Sequence, residues 1–264
     1  MKKLILTIGV LLFCHASLFA QVNLGLKGGV NMPRMLYFKN PALIQLPQSF
    51  VFTPTGGLFA EIPLTEWLYL SPEAVYVQRG VDMSYVHQPS GADVHYSIRT
   101  HNADLRLPLE LVWEAKPYFQ PYVALGAEAG MCLAGQIHLD RTEPVLFDQT
   151  LAVDSANMGL IHAGVFAGLG VRSKVTIGYQ EVILKLGATF HQGLLDSYSK
   201  CEKDGTAQAV NVNAYQVKGY RLPQGIEVTL GIAIPLKRQL KDACATFAKD
   251  RSYRRGTRGH LFGY

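Results

Sequence analysis

Apolar and polar side chains alternate with a period of two over eight stretches of this chain. The clearest runs from Asp104 to Trp113: Leu105, Leu107, Leu109 and Leu111 share one parity, while Asp104, Arg106 and Glu110 share the other. That period belongs to β-strands, whose successive side chains point to opposite faces. The predicted strands are Val22–Asn31, Phe52–Ile62, Trp67–Arg79, Asn102–Trp113, Tyr118–Cys132, Leu160–Arg172, Glu181–His191 and Gly225–Leu236.

The gaps between them also alternate. Those after the second, fourth and sixth strands are short, whereas the gaps around Met32–Val51, Gly80–His101, Leu133–Gly159 and Gln192–Gln224 are long and polar. An even number of strands with tight turns at one end and long loops at the other is the asymmetry of a bacterial outer-membrane barrel. Sorting by parity gives an apolar face that includes Leu58, Leu125, Leu169, Leu186 and Leu230. The opposite face carries Lys27, Glu61, Glu73, Arg79, Asp104, Arg106, Glu110, Glu128, His162, Arg172, Lys185 and Glu227. The fold expected is all-β: an eight-stranded antiparallel transmembrane β-barrel, lipid outside and a polar network inside. A barrel of eight strands is just wide enough for its side chains to fill it, so the charges are expected to pair across the interior rather than line a pore. Trp67, Tyr69, Trp113 and Tyr118 fall beside the short turns, where an interfacial aromatic belt belongs.

The start of the chain bears on its destination. Lys2 and Lys3 precede an apolar run from Leu4 to Leu12 that is too short to span a bilayer, and small residues at Ala16 and Ala20 offer cleavage points. The expected organisation is a signal peptide over 1–20, the barrel over 21–236 and a tail over 237–264. Cys14 is expected to leave with the signal, and Phe13 before it departs from a lipidation motif. The remaining cysteines, Cys132, Cys201 and Cys244, are odd in number and cannot form a closed set of bridges. Cys132 and Cys201 both fall toward the long-loop end, which leaves a single bridge between them open. Only 17% of residues are charged, as strands that expose an apolar face to lipid would need.

Several local motifs together resemble a known family. They are the glycine-rich opening Leu24-Gly25-Leu26-Lys27-Gly28-Gly29, Gly57 to Leu64, Ser71-Pro72-Glu73, Leu107-Pro108-Leu109-Glu110 and Lys116-Pro117-Tyr118 with Gln120-Pro121-Tyr122. The chain resembles the PorT-like outer-membrane β-barrel family of the Bacteroidetes over about Val22 to Leu236. The resemblance implies a small outer-membrane barrel, no catalytic residues and, through the family's founding member, a link to protein secretion. It departs from the family pattern in the residues that follow Leu236.

Those residues hold the basic charge. The formal charge of the whole chain is +5, but 237–264 alone carries a surplus of cations and 21–236 a surplus of carboxylates. With an even number of crossings, both termini are expected in the periplasm. There Arg251, Arg254, Arg255 and Arg258 form a basic segment suited to acidic headgroups, cell-wall polymer or a partner protein, unless it is simply a solvated tail. Nucleic acid is not an expected partner of an exported chain.

For chemistry the sequence offers little. His87, His95, His101, His138 and His191 fall in or beside the long gaps without the compact spacing of a zinc site. His162, with Glu128 on the neighbouring strand, is the nearest candidate for a general base, and no serine matches it. No metal, cofactor or catalytic residue is therefore expected. The reading is a non-enzymatic outer-membrane component in contact with lipid, acting through its loops and tail. Its alternatives are a soluble periplasmic lipocalin-like ligand carrier, which needs an apolar interior, and an outer-membrane lipid-modifying enzyme.

Overall fold

The computed structural model describes residues 22–39, 47–87, 92–113, 116, 118–141, 147–177, 180–204 and 219–236. The signal segment, Cys244 and the tail with Arg251, Arg254, Arg255 and Arg258 lie outside them. The described chain is almost entirely strand: β1 (Asn23–Phe38), β2 (Gln48–Ser49), β3 (Thr53–Pro63), β4 (Leu68–Leu70), β5 (Glu73–His87), β6 (Ala92–Val112), β7 (Gln120–Arg141), β8 (Phe147–Ala152), β9 (Ile161–Ile177), β10 (Gln180–Gly193) and β11 (Tyr220–Pro235), with one short helix, α1 (Lys200–Asp204).

All pairings are antiparallel, and they close. From β1 the ring runs through β3, β5, β6, β7, β9, β10 and β11, and back to β1, where Asn23 stands opposite Pro235 and Phe38 opposite Tyr220. β4 and β5 form one stave interrupted at Ser71-Pro72; the stave stays bonded there through Ser71 N–H to the Pro108 carbonyl and Ala60 N–H to the Pro72 carbonyl. The result is an eight-stranded antiparallel barrel. Closure leaves no free edge around the ring, the condition for strands to cross hydrocarbon.

The staves are longer than the alternation alone predicts, almost always at the end away from the short turns. The described residues of the gaps around Met32–Val51, Gly80–His101 and Leu133–Gly159 are largely strand: β1 runs on to Phe38, β5 and β6 extend to face each other from Arg79↔Thr100 to His87↔Ala92, and β8 doubles back on β7. β7 has 22 residues, about 70 Å of strand at ~3.3 Å per residue, where a tilted crossing takes only about 9–11. The barrel therefore continues beyond the membrane at this loop end.

Its two halves have opposite dress. In the half nearer the short turns, the turn end, apolar side chains point outward: Leu26, Leu105, Leu125 and Leu169 are each at least 60% exposed. Large apolar side chains around a whole circumference require hydrocarbon, not water. In the loop half the order reverses. On β6 the outward series Leu109, Leu107, Leu105 and Ala103 gives way to His101, Arg99, Ser97 and His95, while the inward series changes from Glu110, Arg106 and Asp104 to Thr100, Ile98, Tyr96 and Val94. Ile98, Val81 and Met83 are buried with Met35, Tyr37, Val94, Ile137, Leu139, Met158 and Tyr198 in one apolar core.

β7 makes the same change by another device. Its inward residues are even-numbered through Cys132 and odd-numbered at Ile137 and Leu139. Between them the pairing passes from Asn102↔Cys132 to His101↔Ala134 and skips Leu133. This one-residue bulge exchanges the two faces of the strand.

Trp67, Trp113 and Tyr118 are exposed at the turn end, as a belt requires. Tyr69 is not with them. It is buried, its ring 4.4 Å from the Arg172 guanidinium, because the parity of β4 turns it into the lumen. Neither Cys132 nor Cys201 is disulfide-bonded, so the bridge left open between them is not made.

Candidate functional site

The distinctive chemistry of the described chain is inside the barrel, and its position follows from strand parity. Lys27, Glu61, Glu73, Arg79, Asp104, Arg106, Glu110, Glu128, His162, Arg172, Lys185 and Glu227 come from all eight staves and project into the lumen. They sort into two layers.

The layer at mid-barrel is organised by Arg106. Its two terminal nitrogens donate to both carboxylate oxygens of Glu227 at 3.0 and 3.1 Å, the bidentate geometry that a planar guanidinium favours. Its Nε lies 3.2 Å from Glu128 and one Nη 3.7 Å from Asp104. Arg79 donates to Asp104 at 2.6 Å and to Glu128 at 3.0 Å. Lys27 bonds Glu73 and lies 3.7 Å from Glu227, to which Thr55 also donates. The histidine partners differ from the expected pair: His162 bonds Asp104 at 2.7 Å, and Glu128 is taken by His191 Nδ1 at 2.9 Å. His162 stands across from Gly130 in the ladder, and a side chain there would fall 2.4 Å from the Asp104 carboxylate and 2.6 Å from the imidazole. The glycine makes room for the bond.

Nearer the short turns, Lys185 donates to both oxygens of Glu110 at 2.8 Å and lies 2.9 Å from Glu61. Arg172 is 3.4 Å from Glu61, and Asn23 donates to it at 3.1 Å. Aromatic faces complete the shell: Lys185 lies 5.0 Å from the Tyr122 ring centre and 5.1 Å from that of Phe59, within cation–π range. Tyr122 reaches this place over Gly170 and Gly187, where an added Cβ would stand 2.6 and 2.4 Å from its hydroxyl. Gly187→Val is therefore expected to destabilise the barrel by about 1–3 kcal/mol through overpacking, read as a lower urea midpoint in detergent, with Gly28→Val, where a Cβ makes only an ordinary contact 3.9 Å from the Thr55 carbonyl, unchanged.

Between the layers is a cavity of about 40 Å³ lined by Lys27, Glu73, Arg106, Glu110, Lys185 and His191. It has room for a few water molecules. Toward the loop end the apolar core closes the interior, and Arg221 lies buried near it, donating to the Ser197 carbonyl at 2.7 Å beside the Tyr198 ring. Parity reasoning missed His191, Asn23, Thr55, Tyr69 and Arg221 as interior groups. His191 was legible: it shares the parity of Lys185 along one strand.

Three further histidines make local bonds on the outer surface: His101 to Tyr76, His95 to Ser84 and His138 to Thr150. Among the described residues no three His, Cys, Asp or Glu side chains are grouped as metal ligands. The interior of the membrane half is charged where a lipocalin-like carrier needs an apolar one.

The family model of the outer membrane protein beta-barrel domain matches residues 19–199. No curated protein matches the chain. Among solved structures, the chain is similar to OprG from Pseudomonas aeruginosa, with 11% identity, a TM-score of 0.40 and coverage of 83% of this chain and 98% of that one. Neisserial surface protein A matches with 9% identity, a TM-score of 0.38 and coverage of 82% and 97%. The attachment invasion locus protein Ail of Yersinia pestis, in complex with the heparin analogue sucrose octasulfate, matches with 8% identity, a TM-score of 0.32 and coverage of 81% and 98%.

Proposed function

The chain belongs to the outer membrane protein beta-barrel domain family, and from that premise we propose that it is a closed, non-enzymatic component of the outer membrane that works by contact. The observation that carries this is the filled interior: a cross-linked charge network through the membrane half, capped by an apolar core in the loop half. Lumenal carboxylates held on cations are poor general bases, and no lipid chain has room to enter among them.

In this reading the barrel is of the PorT-like kind, serving as a structural or accessory part linked to protein secretion. The loop end faces outward and both termini face the periplasm. The loop end offers the outer contact surface, and the basic tail offers an inner one for a periplasmic or outer-membrane protein.

Conductance tests closure. The full-length protein in planar bilayers is expected to give no conductance steps, and a stable unitary channel would overturn the reading. Orientation has its own test: in a background lacking Cys132, Cys201 and Cys244, Ser84→Cys should react with a membrane-impermeant maleimide on intact cells. Protection until the outer membrane is opened would reverse the assignment of the ends. For the accessory role, a partner that co-purifies with full-length protein and is lost on truncation after Leu236 is expected; a lone barrel in both preparations would count against the tail.

A further inference from the structure

One sector of the loop end does not share the polar exterior of the rest. On β5, β6 and β7 the outward face beyond the membrane is mostly polar, with Asp82, Ser84, His95, Arg99 and Gln136 beside the isolated apolar Val86 and Leu133, and Arg99 is neutralised by Asp82. On the seam of β1 and β11 the outward face instead carries rings and cations. Phe38 stands opposite Tyr220 in the ladder, and Phe50 flanks β1, where Gln48 is bonded to both backbone groups of Met35. Phe38, Phe50 and Tyr220 are 51%, 75% and 44% exposed. Arg34 sits 5.9 Å from the Phe50 ring centre. Lys39 lies 5.6 Å from Phe38 and 6.0 Å from Tyr220, and Lys203 of α1 lies 5.0 Å from Tyr220 on the other side.

Charge pairing distinguishes these cations. Lys203 is bound to Asp196. Arg34 and Lys39 have rings as neighbours and, among the described residues, no carboxylate partner. Lys39 holds its place with a positive φ of 59°, a backbone region uncommon for a lysine.

Height fixes the environment. The lipid-facing series of β1 is Leu24, Leu26, Val30 and Met32, and Arg34 is the next outward residue. From Arg34 to Lys39 the tilted strand climbs roughly 12 Å. The shelf thus begins where hydrocarbon ends and rises through the headgroup zone, continuous below with the apolar belt. Cations held over aromatic faces at that level are suited to an anionic group whose acyl chains lie on the belt beneath.

We infer that Arg34 and Lys39, on the shelf of Phe38, Phe50 and Tyr220, form a binding site for the phosphate-bearing headgroup of an anionic membrane lipid. The site belongs to the loop end whichever leaflet that end meets, so its test and the orientation test fail separately.

Native mass spectrometry of the full-length protein in detergent, titrated with phosphatidylglycerol or phosphatidylcholine, reads the site directly. Wild type is expected to retain phosphatidylglycerol at least fivefold better. Arg34→Gln with Lys39→Gln should abolish that preference without changing phosphatidylcholine retention, while Arg99→Gln on the opposite sector leaves it intact. Each variant is first shown to keep the compact unboiled gel band; Lys39→Gln alone, with a partial loss expected, serves if the double variant does not. No preference in wild type, an unaltered preference in the double variant, or an equal loss in Arg99→Gln would overturn the site. Complete displacement of the lipid by 10 mM inorganic phosphate would reassign it to a free anion, which also overturns the proposal.

Discussion

Arg106→Met is expected to destabilise the barrel by about 3–5 kcal/mol, the cost of stranding buried charge when one partner of an ion pair is removed. Arg106 serves two carboxylates directly, Glu227 and Glu128, and lies 3.7 Å from a third, Asp104. All three are buried. Arg79 reaches Asp104 and Glu128, but Glu227 would keep the Thr55 hydroxyl and two more distant neighbours, Lys27 at 3.7 Å and His191 Nε2 at 3.9 Å. Urea unfolding of the protein refolded in detergent, followed through Trp67 and Trp113, measures the loss as a lower midpoint at unchanged slope.

Two comparisons make the result specific to burial. Arg99→Met breaks an even shorter ion pair, to Asp82 on the outer surface, where solvent screens it, and should cost less than about 1 kcal/mol. Arg106→Met combined with Glu227→Gln removes the charge left behind and should recover part of the loss. A cost below about 1 kcal/mol for Arg106→Met alone would mean that the network does not depend on its central guanidinium.

The turn half of this barrel was legible because its alternation has one meaning throughout. From Leu105 to Leu111 every apolar position faces lipid and every charge faces the lumen, so parity alone sorts the residues. The loop half escaped because its alternation is written in the opposite phase. Between Asp93 and His101 the apolar positions Val94, Tyr96 and Ile98 are even-numbered, whereas the leucines beyond Asp104 are odd-numbered. A search for one continuous apolar face reads that change as the end of a strand. Physically it marks where the solvent changes: hydrocarbon below attracts the apolar face outward, and water above drives it into the core. The interior partners of the network were legible only in part, since parity places a side chain in the lumen but does not choose which carboxylate it meets. His162 bonds Asp104 and leaves Glu128 to His191 because of the stagger between β6, β7, β9 and β10, which the sequence of any one strand does not carry.

Inserting one alanine between Gln136 and Ile137 is expected to unfold the loop half while leaving the membrane half closed. β7 keeps its apolar residues at odd positions on both sides of the water boundary, Leu125 and Met131 outward below it and Ile137 and Leu139 inward above it. Only the extra residue at Leu133 reconciles one sequence parity with two solvents. A further residue ahead of Ile137 reverses the faces again, so Ile137 and Leu139 turn out to water, at about 1.5–3 kcal/mol each. His138 and Asp140 turn into the core that Ile98, Tyr96 and Met83 line, where a charge without a partner costs more still. β8 pairs only with this part of β7 and would separate with it. The network around Arg106 and Lys185 lies below the bulge and keeps its contacts, so the unboiled band should still migrate as a compact barrel. Limited trypsin digestion should then cut the insertion variant within 92–160, a region expected to stay resistant in wild type and in a variant lacking Leu133, where Ala134 follows Cys132 in a regular ladder and every later residue keeps its face. Resistance in the insertion variant would show that the strand absorbs the added residue in a second bulge, and that the residue count above Cys132 does not set its faces.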